Sequence, residues 1–264
     1  MHPPRDRSQR RMDLMKPEPR APRLCVLIDA DNVPASHAEA IFDEIAGLGE
    51  ASVRRIYGDW SATRLGAWAK KVAALGLVAD QQFSNTKGKN ASDIGLVIAA
   101  MDFLHSGLFD GFVLVSSDSD FTRLAARIRE QGLDVYGIGE KKTPEAFRMA
   151  CKRFIYVENL GAEHEPEPEV ERAPQRGEPQ TARTAVGKEA PANAIAHIVQ
   201  AMRAIDPEGE WYSLGQIGQY ITQGSPDFDT RTYGASKLSD LIKKLTRFEV
   251  KSGPGGQLLA RDKA

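Results

Sequence analysis

Between residues 23 and 160, six short apolar runs alternate with five stretches of helical periodicity, and this alternation restricts the fold more than any other feature. The runs are 24–28 (LCVLI), 53–57, 77–83, 112–116 (FVLVS), 133–138 and 154–157; the helical stretches are 37–46, 62–75, 92–105, 121–131 and 144–150. Runs that are apolar on both faces belong to buried strands, and helices between them supply the crossovers that parallel pairing needs. Gly76 and Gly132 fall just past two helical stretches, where a C-terminal cap favours a residue free to take positive φ. The pattern predicts a three-layer α/β domain with a mostly parallel sheet.

Past residue 160 the composition changes. Residues 161–190 hold almost no large apolar side chain and many Pro, Glu and Arg, so they cannot bury enough surface to offset the entropy of ordering. The first 22 residues read the same way. The expected organisation is a disordered basic tail (1–22), an α/β domain (23–160), a flexible acidic, Pro-rich linker (161–192) and a second folded unit (193–264). That unit opens with an amphipathic helix at 194–205, burying Ile195, Ile198, Val199 and Met202, followed by helices at 214–222 and 236–245. Strand-like runs at 248–251 and 257–261 flank Gly253-Pro254-Gly255-Gly256, a hairpin signal. Three helices and a terminal hairpin make a small winged-helix (α+β) domain.

No apolar run approaches the ~20 residues needed to cross a bilayer, and the N-terminal segment has no apolar core of a secretory signal. Cys25 and Cys151 are too few for a disulfide framework, and no CxxC or Cys/His cluster suits zinc. A soluble, cytoplasmic protein with no membrane partner is expected. The net charge of −1 decides nothing about partners, because residues 1–22 carry +3 and residues 161–190 carry −3. Local clusters must decide.

Open parallel sheets bind ligands beyond the carboxyl ends of their strands. The first strand runs into Asp29-Ala30-Asp31-Asn32 and the fourth into Ser116-Ser117-Asp118-Ser119-Asp120, while Asp93 opens the helix after the loop 84–90. Asp29, Asp93, Asp118 and Asp120 are thus candidates to meet at one sheet edge. Carboxylates held close repel unless a cation joins them, and hard oxygen ligands suit Mg²⁺ or Mn²⁺, which activate water for attack on phosphorus. Acids after strands also cap helices and make turns; for Asp31 capping is the favoured reading, whereas Asn32 stands evenly between capping and the site.

Residues 24–160 resemble the NYN domain family, a branch of the PIN-like metal-dependent nucleases. The strand ending at Asp29 with Asn32 three residues on, the KGKNASD segment ending at Asp93, and VLVSSDSDF with Asp118 and Asp120 carry the likeness, with GLDVYGIG and FIYVE following the family's strand pattern. The resemblance implies an RNA-directed nuclease with a Mg²⁺ or Mn²⁺ site at Asp29, Asp93, Asp118 and Asp120, and Asn32 as an accessory residue. A rival reading takes Asp29-Ala30-Asp31-Asn32-Val33 as the DxDx(T/V) opening of haloacid-dehalogenase-like phosphatases, with Asp29 as nucleophile, Asp31 as acid/base and Ser116 or Ser117 binding phosphate. That scheme wants an acidic pair after a lysine; none follows Lys141-Lys142 before the linker, and Asp93 would go unused.

Lys87 and Lys89 flank Gly88 beside the expected metal edge. They lack the GxxxxGK(S/T) spacing of a triphosphate loop but suit a nucleic-acid backbone as well as they suit a solvated loop. Lys141, Lys142, Arg148, Lys152 and Arg153 read as an ordinary exposed face, and Trp60 and Trp68 as anchors between helix and sheet. Residues 194–264 resemble the LOTUS (OST-type helix-turn-helix) domain through Trp211-Tyr212-Ser213-Leu214, Pro226-Asp227-Phe228-Asp229 and Lys237-Leu238-Ser239-Asp240-Leu241-Ile242. That resemblance implies RNA binding or docking on a partner protein. Lys243, Lys244, Arg247 and Lys251, between the third helix and the wing, are the candidate phosphate contacts. The whole chain reads as a metal-dependent endoribonuclease to which the C-terminal domain brings RNA; the alternative is a non-catalytic RNA-binding or adaptor protein.

Overall fold

In the computed structural model, which describes residues 20–61, 63–82, 91–161 and 188–264, the six expected strands form one parallel sheet in the order β3-β2-β1-β4-β5-β6. They are β1 (Arg23–Asp29), β2 (Glu50–Gly58), β3 (Val78–Gln81), β4 (Gly111–Val115), β5 (Asp134–Gly139) and β6 (Arg153–Tyr156). The connecting helices are α1 (Ala38–Leu48), α2 (Gly66–Val72), α3 (Ala91–Ser106), α4 (Thr122–Glu130) and α5 (Glu145–Ala150). Leu24 through Ile28 and the whole of β4 are buried, as a central strand sandwiched between two helix layers requires.

The two faces of β1 separate by parity. Leu24, Val26, Ile28 and Ala30 join the core beneath α1 and α2, with Ile41, Ile45 and Trp68. Cys25 and Leu27 join the core beneath α3 to α5, with Leu96, Phe121 and Phe147. The chain runs outward from β1 to β2 and β3 on one side and from β4 to β5 and β6 on the other. The carboxyl ends of β1 and β4 therefore border the crevice where the winding reverses, the place where such sheets bind ligands. Trp68 anchors helix to sheet as expected, its indole N–H donating to the Val33 carbonyl at 2.8 Å. Gly76 and Gly132 take the positive φ expected of them.

The C-terminal unit has α6 (Ile195–Ile205), α7 (Leu214–Gly224), α8 (Leu238–Lys244) and the antiparallel pair β8 (Phe248–Ser252) and β9 (Leu258–Asp262). A two-residue strand, β7 (Tyr212–Ser213), pairs with β9 and completes the winged helix; at that length it leaves no periodicity in the sequence. Ile198 and Met202 are buried as expected, while Ile195 and Val199 pack only partly against the core.

This unit rests on the β6 edge. The Phe154 N–H donates to the Pro226 carbonyl at 2.8 Å, and Asn159 Nδ2 donates to Thr232 Oγ1 at 2.8 Å. Arg148 and Tyr156 both bond Asp227. Arg231 bridges Glu44 of α1 and Asp229, and Arg153 joins the same Glu44. An edge strand's free N–H groups invite unwanted pairing, and here one of them is covered by the chain's own second unit. The tail 1–19 and residues 162–187 of the expected linker lie outside the described residues; its last residues join the second unit, the Glu189 N–H donating to the Thr232 carbonyl at 2.9 Å. No helix among the described residues is long and apolar enough to cross a membrane.

Candidate metal and catalytic site

Asp29 follows Cys25 and Leu27 in parity, so its side chain belongs to the face of the sheet that carries α3 and α4. It is 1 % exposed. Burying a carboxylate costs several kcal/mol. The five buried apolar residues before it, at about 1.5–3 kcal/mol each, outweigh that. Polar partners absorb the rest: Oδ2 accepts from Asn32 Nδ2 at 2.5 Å and from Ser116 Oγ at 2.9 Å, and Oδ1 accepts from the Asp31 N–H at 3.1 Å. Burial pushes the Asp29 carboxyl above its ordinary range, against the pull of these bonds.

Ser116, itself buried, ties the two strand ends together. Its hydroxyl donates to Asp29 and accepts from the Asp118 N–H at 3.1 Å. Asp118 then caps the helical turn Ser119–Phe121, its Oδ1 accepting from the Asp120 N–H at 2.9 Å. The capping explanation thus accounts for one oxygen of Asp118 and leaves the other to the site.

Asp93 sits in the first turn of α3. Its carboxyl is pushed up to about 6, first by burial and then by the charges of Asp29, Asp118, Asp120 and Asp31. Residues 29, 93, 118 and 120, far apart in the chain, share one electrostatic environment at the β1/β4 crevice. They do not yet share a coordination sphere: among the described residues no three His, Cys, Asp or Glu side chains are grouped as a metal site. The donor chemistry nonetheless fits a hard divalent cation, since the charges that raise the Asp93 pKa are those of carboxylates. Cys25 and Cys151 are buried and their thiols pushed up to about 12, so neither is a nucleophile.

Asp31 does not cap the following helical turn, whose N-cap is Pro34. It pairs with Arg64 at 3.0 Å and accepts from Ser92 Oγ at 3.4 Å. That pairing, with Ser116 tied to Asp29 and Ser117 Oγ accepting from the Glu140 N–H, also removes the free acid/base and the phosphate-binding serine that a dehalogenase-like scheme needs. Ser116 was visible in the sequence as the residue ending a buried strand, but its role as a bridge depends on the β1–β4 pairing. Lys87 and Lys89 lie outside the described residues.

In the winged helix, three of the four candidate basic residues are engaged internally. Lys244 donates to the Gly234 carbonyl, Arg247 holds Asp262 in a two-bond pair, and Lys251 lies 3.6 Å from the centre of the Trp211 ring. Lys243 lies on the exposed last turn of α8.

Residues 23–158 match the family model of the NYN domain, and residues 188–260 match that of the OST-HTH/LOTUS domain. Among solved structures, a protein of unknown function from Vibrio parahaemolyticus is 18 % identical with a TM-score of 0.45, covering 54 % of this chain and 96 % of its own. An uncharacterized protein from Nitrosomonas europaea is 30 % identical with a TM-score of 0.24, covering 35 % of this chain and 93 % of its own. No curated protein matches.

Proposed function

The chain belongs to the NYN domain family, and from that premise we propose that it is a divalent-metal-dependent endoribonuclease whose active site is the acid cluster at the β1/β4 crevice. The observation that carries this reading is the Asp93 carboxyl, raised to about 6 amid Asp29, Asp31, Asp118 and Asp120. Structural ion pairs match acid with base; a gathering of acids in a crevice at the functional edge is the arrangement expected of a cation site.

Asp29, Asp93, Asp118 and Asp120 would hold Mg²⁺ or Mn²⁺, which supplies water activation and charge neutralisation at phosphorus. The remaining chemistry belongs to the chain. Asn32 and Ser116 fix the Asp29 carboxylate by donating to the same oxygen, leaving Oδ1 with the Asp31 N–H. Asp93, raised to about 6 by burial and by the neighbouring carboxylates, would lose that repulsion to a bound cation and act there as a ligand. The OST-HTH/LOTUS domain is proposed to contribute RNA contacts through Lys243 and its neighbours, although its Pro226–Thr232 segment is occupied by the NYN domain itself. Two buried cysteines outside any disulfide suit the cytoplasm.

The test is cleavage of varied single-stranded RNAs with Mn²⁺ or Mg²⁺ by wild type and by Asp118→Asn. Metal-dependent cleavage that the variant loses supports the nuclease. A second reading, RNA binding without turnover, is favoured by the absence of a closed coordination group among the described residues. Cleavage by neither protein, with RNA still bound by wild type, selects that second reading, and equal cleavage by both overturns the assignment of the site.

A further inference from the structure

Beside the acid cluster lies a hollow of about 270 Å³ on the other side of the β1 crest. Its floor is Ala30, Val33, Pro34, Ala67 and Trp68, the continuation of β1 and the flank of α2. Asn32 lines it too, and the same Asn32 amide donates to Asp29 at 2.5 Å. One side chain therefore separates this hollow from the carboxylate at the centre of the proposed active site. Larger clefts of about 800, 820 and 400 Å³ lie against the β6 edge, along α6 and between α1 and Arg231, and none of them includes a residue that bonds one of the four acids, as Asn32 does here.

The rim carries two cations. Arg64 pairs with Asp31 at 3.0 Å and Lys142 with Glu140 at 2.5 Å. In each pair the carboxylate is the recessed partner, 20 % and 23 % exposed, while the cation projects, 59 % and 72 % exposed. The acids aim the cations outward over the opening. Such exposed pairs are worth only about 0–1 kcal/mol, so an anion that engages the cations forfeits little. Phosphate gains a bidentate bond from the Arg64 guanidinium, a point charge from Lys142 and the release of counterions from the nucleic acid. Sites for drug-sized ligands run from ~300 to 1,000 Å³, so this slightly smaller hollow suits a sugar and its phosphate on an apolar floor.

We propose that this hollow seats the ribose and phosphate next to the scissile linkage of single-stranded RNA, with Arg64 and Lys142 as its positioning residues. The proposal rests on the nuclease reading and adds to it the direction of the strand across the crest, from the acid cluster toward α2.

The test measures binding apart from turnover. Full-length protein and a fluorescein-labelled single-stranded RNA are titrated by anisotropy in EDTA across a salt series. Wild type is compared with Arg64→Ala, Lys142→Ala, the double variant, Arg64→Lys and the control Arg127→Ala, which removes an exposed α4 pair. Each alanine variant is expected to flatten the slope of log K against log salt by about 0.7, and the double variant by about 1.4. Arg64→Lys should keep the wild-type slope while binding more weakly, and Arg127→Ala should leave both unchanged. In Mn²⁺ the double variant should raise KM several-fold with kcat retained. A double-variant slope equal to wild type, a control that flattens the slope as much, or a wild type that does not bind RNA at all, overturns the proposal. A flattened slope in a protein that never cleaves RNA upholds the subsite and overturns only the nuclease.

Discussion

Replacing Asp93 by Asn should stabilise the metal-free protein. The Asp93 carboxyl rises from 3.8 to about 6 on folding. The folded state then holds its proton where the unfolded state has lost it, so stability falls as pH rises between about 4 and 6 and stays lowered above that window. The full shift corresponds to about 3 kcal/mol. Asp93 is only half-buried, and solvent screening reduces this to about 1 kcal/mol. Asn keeps the shape and removes the charge, so melting in EDTA at pH 7.5 should rise by about 2–4 °C. At pH 4.5 roughly a third of that gain should remain, because most of the charge is already titrated. Mn²⁺ should raise the melting temperature of wild type by mass action and leave the variant nearly unmoved. The rival explanation predicts the opposite sign. An acid in the first turn of a helix is worth about 0.3–1 kcal/mol through the dipole, which Asn would forfeit. A lowered melting temperature at pH 7.5, or the same shift at both pH values, refutes the idea that like-charge crowding governs Asp93.

Two further outcomes follow from packing at the site and at the seam. Gly139→Ala places a Cβ 2.5 Å from the Ser116 carbonyl oxygen and 3.0 Å from Ser117 Oγ, atoms with no room to withdraw. The overpacking should cost about 1–3 kcal/mol and, by displacing the strand end that carries Asp118, reduce metal-dependent cleavage, both read from melts and initial rates. Arg231→Ala leaves the largely buried Glu44 and Asp229 short of a partner and should cost about 3 kcal/mol. After nicking by protease within the Pro/Glu-rich stretch 161–192, wild-type fragments should co-elute on size exclusion and the variant's should separate; separation in both would show that the seam does not hold.

The central strands were legible because burial on both faces leaves an unbroken apolar run, and β1 and β4 extend only a residue or so beyond it or fall that much short. The start of β2 was hidden, since Glu50 and Ala51 pair with β1 and Ser52 is passed over at a register irregularity, so no apolar run marks it. Only part of the stretch read as a helix over 62–75 is one; a helical turn at Thr63–Leu65 precedes α2, which starts at Gly66, a residue that gives a helix little support. That Asp29, Asp118 and Asp120 lie near enough for their charges to bear on Asp93 is in keeping with topology, because each acid follows a strand or opens a helix. What each acid bonds could not be read from topology: capping explained Asp31 locally, and the structure instead gives it Arg64 and Ser92, 33 and 61 positions away. The same holds for Arg247, whose charge looked available until β9 brought Asp262 beside it.

Parity in β1 explains how one crest can carry two different surfaces. Asp29 faces the α3/α4 layer with the acids, and Ala30 faces the α1/α2 layer with the hollow and its cations. On the proposed nuclease reading the two faces would divide the work, the cations holding a polyanion's backbone and the acid cluster holding the metal. A one-residue slip of β1 would exchange the two faces, burying the carboxylate under α1 and α2 with the apolar floor. The register is pinned by pairing on both sides, Ile28 opposite Ile56 and Val115, and by the Ser116 hydroxyl, which reaches Asp29 only in this register. The winged helix is fastened at β6, two strands or about 10 Å from β4, and through Arg231 to Glu44 of α1.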